Sequence, residues 1–255
     1  MRISILFCVN ILTVTYAFIS GSFDSRESTI EGIHNALYSG IASCHEVLSS
    51  FISRTEAFNP TINAIITLNP NALRIASIMD TLIVSGNATG ALFCIPILLK
   101  DNYNTAEMNT TGGSLDLAGN KPAEDAPTVI AFKKAGAIIL GKTNLHELAL
   151  EGISVSSLGG QTINPYDHTR SPGGSSGGTG AAISSNFAVF GTGTYGIVTM
   201  VLKLCIVSNC KRQSNPNSNC HRCLETFSSL DEPLTCIVLE PIHGQLSINR
   251  VSHTI

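Results

Sequence analysis

The sequence predicts an α/β fold. Short apolar runs at residues 62–68, 90–101 and 137–141 have the character of strands, and they alternate with segments whose apolar residues recur at helical intervals. A chain of 255 residues with 44% hydrophobic and 13% charged residues also has the apolar material for one large globular domain with a sizeable core.

The elements follow in order. Residues 1–20 have the shape of a signal peptide: Met1-Arg2, then an apolar run over residues 3–19 interrupted only by Ser4, Asn10, Thr13 and Thr15. Thr15-Tyr16-Ala17 offers a cleavage site, with cleavage nearer Gly21 as a second option. An uncleaved anchor is the competing reading, because the run sits at the lower length limit for spanning a bilayer; the secretory reading is preferred. It predicts an extracellular protein with no membrane contact after cleavage. Two acceptor sequons, Asn87-Ala88-Thr89 and Asn109-Thr110-Thr111, fit that route and make Asn87 and Asn109 candidate glycosylation sites.

Ser28-Thr29-Ile30-Glu31 has capping-box spacing and opens a short helix with Ile30, Ile33, Leu37 and Ile41 on one face. A second box, Ser43-Cys44-His45-Glu46, leads into Val47, Leu48, Phe51 and Ile52, on a helix expected to end before Asn59-Pro60. His45 reads as a first-turn surface residue. A strand over residues 62–68 and a helix over 71–84 follow. The run over residues 90–101 then delivers Lys100 at its end. Asp125-Ala126-Pro127 opens another helix, with Asp125 as its cap and proline in the first turn, and Gly136 stops it. Residues 137–141 read as a buried strand and 144–149 as a helical turn. The Gly/Ser run over residues 173–180 sits between two ordered segments, so it reads as a tight backbone turn at a functional site, not a linker.

Charge and cysteine usage exclude several function classes. The net charge is −3 and the basic residues are scattered, so the stripe expected of a nucleic-acid binder is absent and small neutral ligands fit better. Oligomeric state is not legible. Setting aside Cys8 leaves seven cysteines, an odd number for a secreted chain. No disulfide is therefore expected in the body, where Cys44 and Cys94 read as buried thiols. In the tail, Cys210, Cys220-His221-Arg222-Cys223, Cys236 and His243 form a weak zinc pattern lacking a second properly spaced pair, so no metal is expected.

Five ordered motifs carry a family resemblance: 95–102 (Ile-Pro-Ile-Leu-Leu-Lys-Asp-Asn), 122–126 (Pro-Ala-Glu-Asp-Ala), 140–144 (Leu-Gly-Lys-Thr-Asn), 164–167 (Asn-Pro-Tyr-Asp) and 171–178 (Ser-Pro-Gly-Gly-Ser-Ser-Gly-Gly). In this order they resemble the amidase-signature family, especially its secreted fungal members, from about Thr29 to Thr194. The resemblance implies a mixed β-sheet core covered by helices, present here in part. It also implies hydrolysis of carboxamide carbon-nitrogen bonds by a serine, cis-serine and lysine triad, with no cofactor and a small-molecule amide as partner. Lys100 matches the base lysine. An amine can act as a base when burial and neighbouring donors keep it neutral. Ser175 matches the bridging serine, whose peptide bond is cis in the family. Asp101, Asn102, Gly173, Gly174, Ser176 and Gly177 match supporting positions, whereas Lys142 is expected to cap local structure or pair with a carboxylate.

The resemblance stops after Thr194. The family continues with an aspartate, a glycine-containing turn, the nucleophilic serine, isoleucine and arginine, where this chain has Tyr195-Gly196-Ile197-Val198-Thr199-Met200-Val201. Without a gap the nucleophile position falls on Thr199. Ile197 and Val198 are stiff, β-branched residues where a loop supplying oxyanion-hole amides needs compact ones. The expected division is a signal peptide at 1–20, the N-terminal part of an amidase domain at 21–194, and a divergent cysteine-rich tail at 195–255. A break directly after an intact motif is the pattern of a reading frame that has entered an intron or shifted. The chain as written is thus expected to be inactive; the alternative function is a secreted binding protein that retains the pocket without the chemistry.

Overall fold

The computed structural model describes residues 23–194 and the backbone of four strands beyond them. The predicted signal segment, Thr199, and the side chains of the tail's cysteines and histidines lie outside the described residues.

Helix α1 (Ile30–Tyr38) buries Ile33 and Leu37, as its periodicity predicts. Its cap is one residue later than expected. Thr29, not Ser28, accepts the Gly32 N–H at 3.0 Å, while the Ser28 hydroxyl donates to the Asp24 carbonyl. Ile41 lies past the helix end and is exposed. Helix α2 (Cys44–Ile62) starts with the predicted capping box: the Glu46 N–H donates to Ser43 Oγ at 3.1 Å, and the Ser43 N–H donates to Glu46 Oε2 at 2.8 Å. Its Val47, Leu48 and Phe51 are fully buried, and His45 is exposed.

The expected stop before Pro60 is overturned, because α2 runs on to Ile62. A proline in the last turn forgoes a single backbone bond, and the Asn59 carboxamide stabilises the exit: its Oδ1 accepts from the N–H groups of Ala64 and Ile65 at 2.8 and 2.9 Å. Asn63 closes the helix in the left-handed conformation that asparagine tolerates.

Strand β1 (Ile65–Leu68) and helix α3 (Ala72–Val84) lead to β2 (Pro96–Lys100), which is buried at every position. Helix α4 (Pro127–Lys134) has proline in its first turn, but Asp125 is not its cap. Its carboxylate instead accepts the Ala106 N–H and pairs with Lys133, in the last turn of the same helix, at 2.8 Å, in a cluster that also includes Glu107; these partners outcompete capping. Strand β3 (Ile138–Thr143) is again buried throughout, and a 3-10 turn at Glu147–Ala149 occupies the predicted helical turn. A small ladder, β4 (Val155–Ser156) with β5 (Gly160–Gln161), precedes α5 (Gly177–Ser184) and β6 (Phe190–Thr194). Helix α5 begins inside the Gly/Ser run.

The main sheet is mixed, as predicted. Its order is β1-β3-β2-β6, continuing through β7 (Leu204–Ser208), β8 (Arg222–Thr226), β9 (Thr235–Ile242) and β10 (Gln245–Arg250). β2 is parallel to both β3 and β6, and every other pairing in this sheet is antiparallel. β2 and β3 are buried at every position, β2 between two parallel neighbours, which explains why both read as continuous apolar runs instead of alternating ones. Helix α5 packs on β1, β2, β3 and β6, while α2 packs against α3 and α5. None of the described helices is long and apolar enough to cross a membrane.

The expected absence of a disulfide in the body is also overturned. Cys44 and Cys94 are fully buried and bonded to each other, their Cα atoms 5.8 Å apart across 50 residues of sequence. Cysteine parity could not reveal this, since it depends on the first turn of α2 meeting the turn that launches β2. Closing a loop of this size stabilises a fold by roughly 2–4 kcal/mol. The double substitution Cys44→Ser/Cys94→Ser is expected to lower the melting temperature by roughly 5–15 °C in calorimetry. An unchanged midpoint would show that the crosslink does not hold the fold.

Candidate active site

Parallel pairing on both sides buries β2 and carries Lys100, at its C-terminal end, into the interior with no exposed surface. The Lys100 backbone N–H donates to Thr192 Oγ1 at 3.1 Å, which fixes the strand end against β6. Its Nζ lies 2.7 Å from Ser175 Oγ and 2.6 Å from Thr194 Oγ1. The structure thus joins Lys100 and Ser175, which are 75 residues apart in sequence.

Ser175 is 5% exposed, so its hydroxyl is close to the surface but largely shielded. The peptide bond between Gly174 and Ser175 is cis. The Ser175 carbonyl accepts the His146 N–H at 3.0 Å. Ser154 Oγ ties the turn together, donating to the Gly173 carbonyl at 2.7 Å and accepting the Gly177 N–H at 3.0 Å. Ser176 clamps the turn to β6: its hydroxyl accepts the Thr194 N–H at 3.1 Å and lies 3.2 Å from the Thr194 carbonyl.

Two glycines are required by close approach. A Cβ at Gly174 would sit 2.8 Å from Ser154 Oγ and 2.9 Å from the Gly152 carbonyl carbon. One at Gly178 would sit 2.0 Å from the Asn144 carbonyl oxygen, and Asn144 is itself anchored by its N–H to the Ala64 carbonyl at 2.8 Å. Helix α5 therefore seats directly on the segment after β3, which sets the depth at which Ser175 meets Lys100.

Asp101 and Lys142 lie on the other side of the strand end as a buried ion pair 3.0 Å apart. The Thr111 N–H and hydroxyl both donate to the Asp101 carboxylate. Lys142 Nζ also reaches the Tyr103 carbonyl and Thr110 Oγ1, each at 2.8 Å, and the Asn109 carbonyl at 3.2 Å. Burial pulls the Lys142 pKa below the ordinary lysine value, and Asp101 works in the opposite direction. Lys142 thus pairs with a carboxylate, as expected from the sequence.

Asn102 is exposed in the turn after β2 and does not join the cluster. Asn87 and Asn109 are both exposed; their side-chain amides donate to Ser85 Oγ and to the Ala118 carbonyl respectively. No group of three or more potential metal ligands occurs among the described residues. Sequence reasoning missed Thr192 and Thr194, whose alternate positions on β6 place both hydroxyls toward Lys100. The alternation of glycine and threonine over residues 191–194 was the available signal.

The sequence profile named Amidase matches residues 46–196, more than half of the chain. The chain belongs to the amidase family. Similar relatives include a subunit of the chloroplastic/mitochondrial glutamyl-tRNA(Gln) amidotransferase of Zea mays, 39% identical over 72% of this chain and 35% of that protein. The corresponding subunit of Bdellovibrio bacteriovorus is 35% identical over 71% of this chain and 38% of that protein. The peptide amidase of Stenotrophomonas maltophilia is structurally similar, with a TM-score of 0.64 and 38% identity over 67% of this chain and 36% of that one. This amidase-family chain thus spans about a third of the length of the relatives it matches.

A buried amine against a nearly buried hydroxyl is an arrangement that can pass a proton between them. The substitution Gly178→Ala, by driving α5 off the Asn144 backbone, is expected to destabilise the chain by roughly 2 kcal/mol or more. A thermal melt reads this as a fall of several degrees; an unchanged midpoint would contradict the close approach.

Proposed function

We propose that the protein is a hydrolase of carboxamide carbon-nitrogen bonds that works through an acyl-enzyme, with Lys100 as the base and Ser175 as the proton relay. In the sequence, without a gap, the nucleophile position falls on Thr199. The carrying observation is the 2.7 Å contact between Lys100 Nζ and Ser175 Oγ inside a buried site. Membership of the amidase family and likeness to a peptide amidase support the reading. A related peptide amidase structure, 39% identical with a TM-score of 0.64, is a complex with the competitive inhibitor chymostatin, which favours small peptide-like amides as the substrate class.

In this reading the nucleophilic hydroxyl attacks the amide carbonyl carbon while its proton passes to Ser175 Oγ, and Ser175 passes its own proton to Lys100 Nζ. The carbon-nitrogen bond breaks as Lys100 returns a proton through Ser175 to the leaving nitrogen. Water then cleaves the acyl ester by the same relay. The chain as written is slow or inactive, because Ile197 and Val198 stand where the oxyanion loop needs compact residues.

The protein is further proposed to be secreted, with residues 1–20 as its signal and Asn87 and Asn109 as acceptors for glycans. The Cys44–Cys94 disulfide supports an oxidising compartment.

Release of ammonia from a C-terminal peptide amide tests the assignment. Thr199→Ser combined with Ile197→Gly and Val198→Gly is expected to raise the rate at least about tenfold over the unaltered chain, and the gain should vanish on adding Lys100→Met or Ser175→Ala, since a positioned base contributes about 10²-fold or more. A gain that survives without Lys100, or no gain at all, would remove the assigned roles.

A further inference from the structure

Two lysines at neighbouring positions of adjacent strands are fully buried, Lys100 on β2 and Lys142 on β3. The parallel register pairs Leu99 with Lys142 and Lys100 with Thr143. Paired residues share a face and successive residues alternate, so the two amine-bearing side chains leave the sheet on opposite faces. Lys100 meets the Ser175 turn and Thr194, while Lys142 meets the loop over residues 101–113.

Asp101 follows Lys100 directly, yet its carboxylate contacts Lys142 and Thr111. Two fully buried charges are retained where apolar residues of similar size would serve stability equally well or better. Lys142 also holds the Tyr103 and Asn109 carbonyls and Thr110 Oγ1, so it anchors the loop that leaves the Lys100 strand.

We infer that Lys142 and Asp101 are positioning residues that act as a charge-balancing pair: Lys142 neutralises Asp101, so that no net negative charge is buried at the residue next to Lys100, where it would act through the strand end. Without Lys142 the buried Asp101 carboxylate is uncompensated one residue from Lys100, and a nearby negative charge favours the protonated amine, which cannot serve as a base. The other titratable groups of the surrounding elements do not supply this balance. Glu107 and Asp125 are engaged with Lys133, the Tyr103 hydroxyl donates to the Gly193 carbonyl, Glu147 accepts the Ser157 N–H, and His146 lies beside Glu151.

The significance of this pair rests on the reading of Lys100 as the base, but its test needs no turnover. Nuclear magnetic resonance of the lysine Nζ and Cε groups in the full chain, with Lys100→Met identifying the resonance, follows the titration of Lys100. In Lys142→Met the midpoint is expected to rise by about 0.5–1 pH unit relative to the unaltered chain. The double substitution Asp101→Asn/Lys142→Met removes both charges and should return it to the original value, and Lys142→Arg should leave it there. An unchanged midpoint in Lys142→Met, or a rise that persists in the double variant, would overturn the inference. If Lys142→Met does not fold while the double variant does, Asp101→Asn, which leaves Lys142 unbalanced, is titrated in its place: a lowered Lys100 midpoint is expected and an unchanged one overturns the inference. If the double variant also fails to fold, the pair serves packing and the inference falls. Loss of ammonia release with normal titration shifts would instead count only against the proposed reaction.

Discussion

The burial of one amino group organises the described part of this protein. Lys100 reaches the interior because β2 is parallel to neighbours on both sides, and such strands are covered on both faces. An amine in that position requires polar partners, since an unpaired buried polar group carries a desolvation penalty of kcal/mol size. Ser175 Oγ and Thr194 Oγ1 come from the Ser175 turn and the end of β6, two segments that Ser176 also ties together. Their convergence explains the glycines. Only a backbone stripped of Cβ atoms brings the Ser175 turn and α5 close enough to Asn144, Gly152 and Ser154.

The remaining features hold that arrangement from outside. The Cys44–Cys94 bond fastens α2 to the turn that launches β2, so it fixes the strand at the end opposite to Lys100. Asp101 and Lys142 fix the end at Lys100 itself. Hydroxyls fill the space between: Thr143 and Thr179 lie 2.7 Å apart, and Thr179 donates to the Thr192 carbonyl at 2.8 Å. A network of neutral hydroxyls satisfies backbone groups without adding charge near the buried amine.

What was legible in the sequence was local. The Ser43–Glu46 capping box, the buried runs of β2 and β3, and the proline that opens α4 follow from neighbouring residues, and the structure reproduces them. The misreadings share a cause. Asp125 is taken from the capping position by Lys133 and the Ala106 N–H, Asn59 carries α2 past Pro60, and Cys44 finds Cys94 across 50 residues. Each outcome depends on a side-chain contact that the signals of capping, helix breaking and cysteine count do not display. The site was legible only in part: the resemblance singled out Lys100 and Ser175, whereas Thr194 entered with the geometry of β6.

A buried lysine kept for chemistry and a buried lysine kept for stability respond differently to an apolar replacement of similar length. The most direct test is the melting temperature of Lys100→Met in the full chain. Exchanging the desolvated amine for a thioether relieves its burial penalty but leaves the Ser175 and Thr194 hydroxyls without it, so the melting temperature should stay within about 5 °C of that of the unaltered chain. A fall of more than about 5 °C, the size expected when a needed interaction of 1–2 kcal/mol is lost, would show that Lys100 is a structural residue and contradict the account.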